Sequence, residues 1–210
     1  MTGLFLAAIG LPGVGKSTVC DELAKLSGIK VLHEPEESYW PSAVMQRDLY
    51  GHFGAVMWFR SIRVPLYYTA QAIKIAGQAV IVDSYYDKLF SYYMHKKGME
   101  WLIAPSDPYY PVLSEIAELD REILPNADCI ISFEIDYRDW LQCLSKRGRM
   151  LDSETEFVRS YDTQAYFIEA AETYAASVGA RLIHFKQVYS SPSQAAKLLR
   201  VQLHSQGIRL

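Results

Sequence analysis

The chain has 210 residues, half of them hydrophobic (50%) and 21% charged, a balance that excludes a mainly disordered protein and gives enough length to bury a core without disulfide staples. Twenty-four acidic against 21 basic residues leave a net charge of -3, so nothing global points to nucleic acid or an anionic membrane as partner. The 15 Tyr, 8 Phe and 4 Trp are a heavy aromatic load, expected mostly in core or interface, with position deciding whether some of it lines a ligand site.

Residues 4–9 form a short apolar run with no basic segment ahead of it, broken by Gly10 and Pro12. It reads as a buried strand rather than a signal peptide or membrane span. The next segment, Gly10-Leu-Pro-Gly-Val-Gly-Lys-Ser17, matches G-x-x-x-x-G-K-[ST] in full and leads through Thr18 into a helix-forming run over 16–27. Glycines at these positions let successive backbone N–H groups curl around phosphate oxygens, helped by the helix terminus behind them. Gly10, Pro12, Gly13, Val14, Gly15, Lys16, Ser17 and Thr18 are therefore the expected nucleotide-binding set. Lys16 supplies a cation for the β- and γ-phosphates of a bound triphosphate, and the Ser17 hydroxyl a ligand for Mg2+.

A second strand is expected over 30–32, followed by His33-Glu34-Pro35-Glu36-Glu37-Ser38-Tyr39-Trp40. At this strand end Glu34 could take the proton of an acceptor hydroxyl or bind a sugar hydroxyl, while Glu36 and Glu37 read as solvated loop charges. The helix over 52–76 carries Phe59 and Arg63 four residues apart on one face, a ring beside a guanidinium that suits a planar base with a polar edge or phosphate. Trp58 points elsewhere, into the core. The third strand, 79–83, ends on Asp83, which either holds the Mg2+ hydration shell or orients the acceptor, and also suits an N-cap for the next helix at 85–98.

The stretch 101–110 is irregular, with two prolines, and is expected to cover part of a cleft or a subunit contact. Beyond it come a helix over 111–124, a strand over 129–133 and a helix over 137–147, the last ending in Lys146-Arg147-Gly148-Arg149. Glycine here permits a mobile turn, and Arg147 and Arg149 could swing onto the transferring phosphoryl group, as a lid at about 146–155. A long helix over 154–178, a strand over 181–185 and a helix over 192–205 complete the chain. Cys20, Cys129 and Cys143 are far apart and show no metal-ligand spacing, so a reducing, cytoplasmic setting is expected. No stretch is long and apolar enough for a membrane helix, and no linker or repeat divides the chain. Length divided by about 150 leaves one domain as the better choice. The strand–helix alternation predicts a three-layer α/β fold with a parallel sheet and right-handed crossovers.

These residues together resemble the thymidylate kinase and deoxynucleoside kinase superfamily over most of the chain. The resemblance rests on the P-loop, Glu34-Pro35 after the second strand, Phe59 and Arg63 on the acceptor helix, Asp83-Ser84-Tyr85 after the third strand, and the lid sequence Lys146-Arg147-Gly148-Arg149. It implies a P-loop NTPase fold with a five-stranded parallel sheet, a homodimer, ATP and Mg2+, and adenine near the lid and residues 187–191. The sequence departs from that pattern in three places. His33 stands where thymidylate kinases have an arginine facing the acceptor phosphate, Ser84 stands where both branches have an arginine, and Trp40 falls one residue late for the deoxynucleoside kinase motif. Loss of two cations favours an uncharged hydroxyl over a monophosphate acceptor, a histidine being mostly neutral at pH 7. His33, or Lys88 one turn past Ser84, is the candidate to compensate.

The expected activity is ATP-dependent phosphoryl transfer to a nucleoside-type acceptor, either a deoxynucleoside or a monophosphate such as dTMP. Lys16, Glu34, Asp83, Arg147 and Arg149 are its catalytic candidates. Glu34, Trp40, Phe59, Arg63, Tyr85 and Lys88 are its acceptor-site candidates, and Ser17 and Asp83 its metal ligands. Two other readings stay open: a kinase of a non-nucleoside small-molecule alcohol, and a nucleotide-binding partner protein without catalysis.

Overall fold

The computed structural model describes residues 3–148, 160–188 and 191–210. Strands β1 (Leu4–Gly10), β2 (Lys30–Leu32), β3 (Ala79–Val82), β4 (Cys129–Ile135) and β5 (Arg181–Gln187) form one parallel sheet in the order β2-β3-β1-β4-β5. β1 lies at its centre, with Leu6 opposite Ile81 of β3 and Cys129 of β4. Every residue from Phe5 to Ile9 is fully buried. This is why these strands read as continuous apolar runs: helices cover both faces, so neither needs polar residues.

The helices are α1 (Lys16–Ser27), α2 (Ser42–Met45), α3 (Arg47–Tyr50), α4 (His52–Ile75), α5 (Tyr86–Tyr93), α6 (Tyr110–Ile123), α7 (Tyr137–Arg147), α8 (Gln164–Val178) and α9 (Pro192–Ser205). α1 packs on α9. α4 lies along β3 and β1, α8 along β4 and β1, and α5 fills the space between α6 and α8. The expected three-layer α/β fold with five parallel strands is therefore the observed one. No helix among the described residues is long and apolar enough to cross a membrane.

Three boundaries differ from expectation. The helix expected over 85–98 runs only from Tyr86 to Tyr93, and Tyr85 at its N-cap donates its N–H to the Ala8 carbonyl of β1 at 3.1 Å. The loop after β2 is not plain coil but a 3-10 turn (Glu37–Tyr39) leading into α2 and α3. The last long helix begins at Gln164, behind a 3-10 turn at Ser160–Thr163. Residues 149–159, with Arg149 and most of the expected lid, lie outside the described residues.

Candidate active site

Because all strands run in parallel, the residues leaving β1, β2, β3 and β5 emerge on one side of the sheet, where an open α/β sheet has its ligand crevice. A cleft of about 1410 Å3 lies there. Pro12, Gly13, Gly15, Lys16, Ser17 and Thr18 line it from the P-loop, Glu34 and Trp40 from the loop after β2, Phe59 and Arg63 from α4, Asp83 and Tyr86 from the β3–α5 turn, and Arg147 from the end of α7.

The loop's shape needs its glycines. Gly13 has φ +81°, and a Cβ there would lie 2.3 Å from Leu144 of α7. The same helix is tied to the loop by Trp140, whose indole N–H donates to the Pro12 carbonyl at 2.9 Å. Val14 is buried in the core and its N–H bonds to the Leu11 carbonyl at 3.3 Å. Gly10 closes β1 and presents its carbonyl rather than its N–H. These two expected nucleotide contacts are therefore scaffold for the loop, whereas Ser17 and Thr18 are exposed at the first turn of α1. Lys16 Nζ donates to the carbonyls of Gly10 (2.9 Å) and Leu11 (3.0 Å) and to the Tyr86 hydroxyl (2.8 Å). Burial pulls its pKa down to about 8, with the Asp83 and Glu34 charges opposing the shift.

Where α4 and the loop after β2 line the cleft, Arg63 is the hub. Its Nε and NH2 grip Asp87 at 2.7 and 3.1 Å, and its NH1 donates to Glu34 Oε1 at 3.1 Å. Asp87 Oδ2 also accepts from the Tyr67 hydroxyl at 3.0 Å. Burial alone would lower the Arg63 pKa, but the two carboxylates outweigh it and hold the guanidinium well above its ordinary value. Ser84 Oγ donates to the same Glu34 Oε1 at 2.5 Å. Neither bond uses Oε2. The guanidinium lies between the rings of Phe59 (5.4 Å) and Tyr86 (5.3 Å). Trp40 meets Phe59 edge-on at 4.9 Å and donates its indole N–H to the Pro35 carbonyl at 3.1 Å. Its late position in sequence still brings it to the cleft wall.

His33 departs from expectation in its charge. Its Nδ1 bonds Asp83 Oδ2 and its Nε2 bonds Asp21 Oδ1, both at 2.8 Å. The bond to Asp83, partly offset by desolvation, raises its pKa to about 9, so the ring is cationic at pH 7. Both nitrogens are committed, however, so His33 does not supply the missing acceptor cation. Lys88 does not either: it is 1% exposed and donates to the Leu124 carbonyl at 2.5 Å, away from the cleft. Tyr85 is likewise misassigned. Its hydroxyl donates to the Pro125 carbonyl at 2.6 Å and accepts from the Ala127 N–H, which fixes the ring in the core beside Tyr174.

The structure brings Tyr86 to the cleft and Asp87 onto Arg63. Their signal was local: Asp87 stands one turn beyond Asp83 in a segment with few other charges, and adjacent helix positions turn by about 100°, so Tyr85 and Tyr86 cannot share a face. Trp101 and Leu102 line the cleft as expected of the irregular stretch, and Gln187 reaches it from the end of β5.

Asp83 Oδ1 is buried without a hydrogen-bond partner among the described residues. With the exposed Ser17 hydroxyl in the same cleft, this fits the hard oxygen donors that Mg2+ takes, through its waters as much as directly. No group of three or more His, Cys, Asp or Glu that could by itself hold a metal ion occurs among the described residues.

Neither a family model nor a curated protein matches the sequence. Solved structures do match it in three dimensions. Thymidylate kinase from Candida albicans is 17% identical with a TM-score of 0.69, covering 100% of this chain and 94% of that one. Deoxyadenosine kinase from M. mycoides with bound dATP is 18% identical with a TM-score of 0.72, covering 95% of this chain and 98% of that one. The same enzyme with bound dCTP gives 18% and 0.63. The chain has the P-loop α/β fold of the thymidylate and deoxynucleoside kinases.

Proposed function

We propose that the protein transfers a phosphoryl group from ATP to the hydroxyl of a nucleoside-type acceptor. The observation that carries this reading is Glu34, held by Arg63 and Ser84 through Oε1 alone, in the same cleft as the P-loop lysine. Oε2 is then available to the acceptor. As the acceptor oxygen bonds to the γ-phosphorus and the bond to the bridging oxygen of ADP breaks, the hydroxyl proton passes to Glu34. Lys16 and the loop N–H groups hold the donor phosphates. Arg147, beside Gly13, is placed to neutralise charge moving off the γ-phosphate, with the adjoining lid residues as the proposed closing segment. Mg2+ would be held by Ser17 and Asp83, and would supply charge neutralisation between the β- and γ-phosphates. Phe59 and Trp40 offer ring faces and edges to a planar acceptor.

Charge balance favours a hydroxyl over a monophosphate. Among the described residues the two cations at the acceptor end are both already matched, Arg63 by Asp87 and Glu34, His33 by Asp83 and Asp21. An incoming phosphate dianion would have to break one of these pairs. The acceptor wall formed by Val56, Phe90, Tyr93, Trp101 and Leu102 favours, as a second reading, a non-nucleoside alcohol with an apolar body. Assays with ATP, Mg2+ and a panel of deoxynucleosides, nucleoside monophosphates and non-nucleoside alcohols decide. We expect turnover with a deoxynucleoside, lost by about 10²-fold or more in Glu34→Gln. Turnover confined to monophosphates or to non-nucleosides overturns the reading.

A further inference from the structure

Tyr86, in the first turn of α5, touches both halves of the cleft. Its hydroxyl donates to the Gly10 carbonyl at 2.6 Å and accepts from Lys16 Nζ at 2.8 Å. With the Gly10 and Leu11 carbonyls as further acceptors, all three protons of the ammonium are engaged by the protein. The Tyr86 ring has two further neighbours. One face lies 5.3 Å from the Arg63 guanidinium, and Phe167 meets the ring at 5.8 Å and 67°. A hydroxyl on a ring held in this way cannot travel with the lysine. To reach a phosphate oxygen, Lys16 has to give up one of its three partners.

We propose that Tyr86 is a positioning residue that competes with the nucleotide for Lys16. Its hydroxyl latches the ammonium onto the loop in the nucleotide-free protein, and bound phosphates must displace it. The proposal rests on the kinase reading above and adds to it a control on donor affinity and on the departure of ADP. Burial raises the Tyr86 pKa far above its ordinary value, so the phenol stays neutral. The competition is thus between a neutral oxygen and an anionic phosphate, and the phosphate wins, but with its affinity reduced by the bond it replaces. After transfer, when ADP carries less charge at the lysine, the hydroxyl recaptures the ammonium and favours release.

Tyr86→Phe isolates the latch. It keeps the ring between Arg63 and Phe167, and Gly10 keeps Lys16 Nζ as its donor, so no buried acceptor is orphaned. The dissociation constants of ADP and of a non-hydrolysable ATP analogue are measured by calorimetry for wild type, Tyr86→Phe, Lys16→Ala and the double variant. Tyr86→Phe is expected to bind both nucleotides about tenfold more tightly, the worth of one charge-assisted hydrogen bond, and to be inhibited by ADP at correspondingly lower concentration. In the Lys16→Ala background the same change is expected to have no effect, an outcome that a merely structural role of the hydroxyl does not produce. Unchanged or weaker binding in Tyr86→Phe, or an equal gain with Lys16 already removed, overturns the latch and leaves the kinase reading standing. Wild-type protein that binds neither nucleotide overturns both.

Discussion

Lys88 shows what a single side chain's direction decides. Enclosed under α5, it donates to the Leu124 carbonyl, and its amine is pulled down to about 8 by burial, with the Asp120 charge opposing. The sign of the pH effect is set by that direction. Between about 8 and the ordinary 10.5 the unfolded chain holds more protons on this group than the folded one, so stability rises with pH across that window. Lys16 contributes a slope of the same sign. Lys88→Met is expected to reduce, not abolish, the rise in unfolding free energy between about pH 8 and 10, measured by chemical denaturation, and to leave the acceptor KM within about twofold because nothing at this position reaches the cleft. A large KM change would return Lys88 to the acceptor site. The sequence placed Tyr85 at the cleft through the resemblance of Asp83-Ser84-Tyr85 to the family motif, and Lys88 because it stands one turn past Ser84. The Tyr85 N–H bonds the Ala8 carbonyl of β1, which ties Tyr85 to the sheet at the turn into α5. Tyr86 and Asp87 meet Arg63, while Tyr85 and Lys88 bond the Pro125 and Leu124 carbonyls. A long-range backbone bond of this kind leaves no trace in local periodicity. The P-loop, by contrast, was legible down to Lys16, since its chemistry is written in consecutive residues.

At the scale of elements, α4 is the member that fixes the acceptor end. Two arginines one turn apart, Arg60 and Arg63, grip acids from two different helices, Asp120 of α6 and Asp87 of α5. Arg60 holds both Asp120 oxygens, at 2.6 and 2.7 Å, and Asp120 is 2% exposed. Removing the arginine leaves a buried carboxylate without its counterion, which costs more than the pair contributes. Arg60→Leu should therefore lower stability by about 3 kcal/mol, the low end for such losses because the guanidinium is partly exposed. Arg60→Leu/Asp120→Leu should recover much of it, as an apolar pair of similar shape has no orphaned charge. Equal destabilisation in the single and double variants would show that the bond itself, not the orphaned acid, carries the effect. Of this arrangement the sequence revealed α4 as a long aromatic helix and singled out Arg63 and Phe59. The carboxylates that set Arg63's charge environment sit 24 and 29 residues away, beyond what spacing on one helix can reveal.

For the whole molecule, the parallel strands bring residues from separate chain segments to one end of the sheet, so the P-loop and the proposed acceptor site share a cleft but rest on different parts of the scaffold. The donor site hangs on β1 and α1, braced by α7 through Trp140. The proposed acceptor site rests on the β2 loop, α4 and α5. A ligand that binds only the folded state at about a hundred times its Kd stabilises it by about 2.7 kcal/mol, and each kcal/mol moves the midpoint of a protein this size by about 2–4 °C. A non-hydrolysable ATP analogue and a phosphorylatable deoxynucleoside, each at that concentration, should therefore each raise Tm by about 5–10 °C in a thermal shift assay. In Lys16→Ala the analogue's shift should be largely lost at the same concentration while the deoxynucleoside's persists. The lysine's hydrogen bond toward the acceptor end runs to Tyr86, whose ring stays held by Arg63 and Phe167 without it. Loss of both shifts would mean that Lys16 holds the acceptor site together as well, and that the two halves of the cleft form one unit.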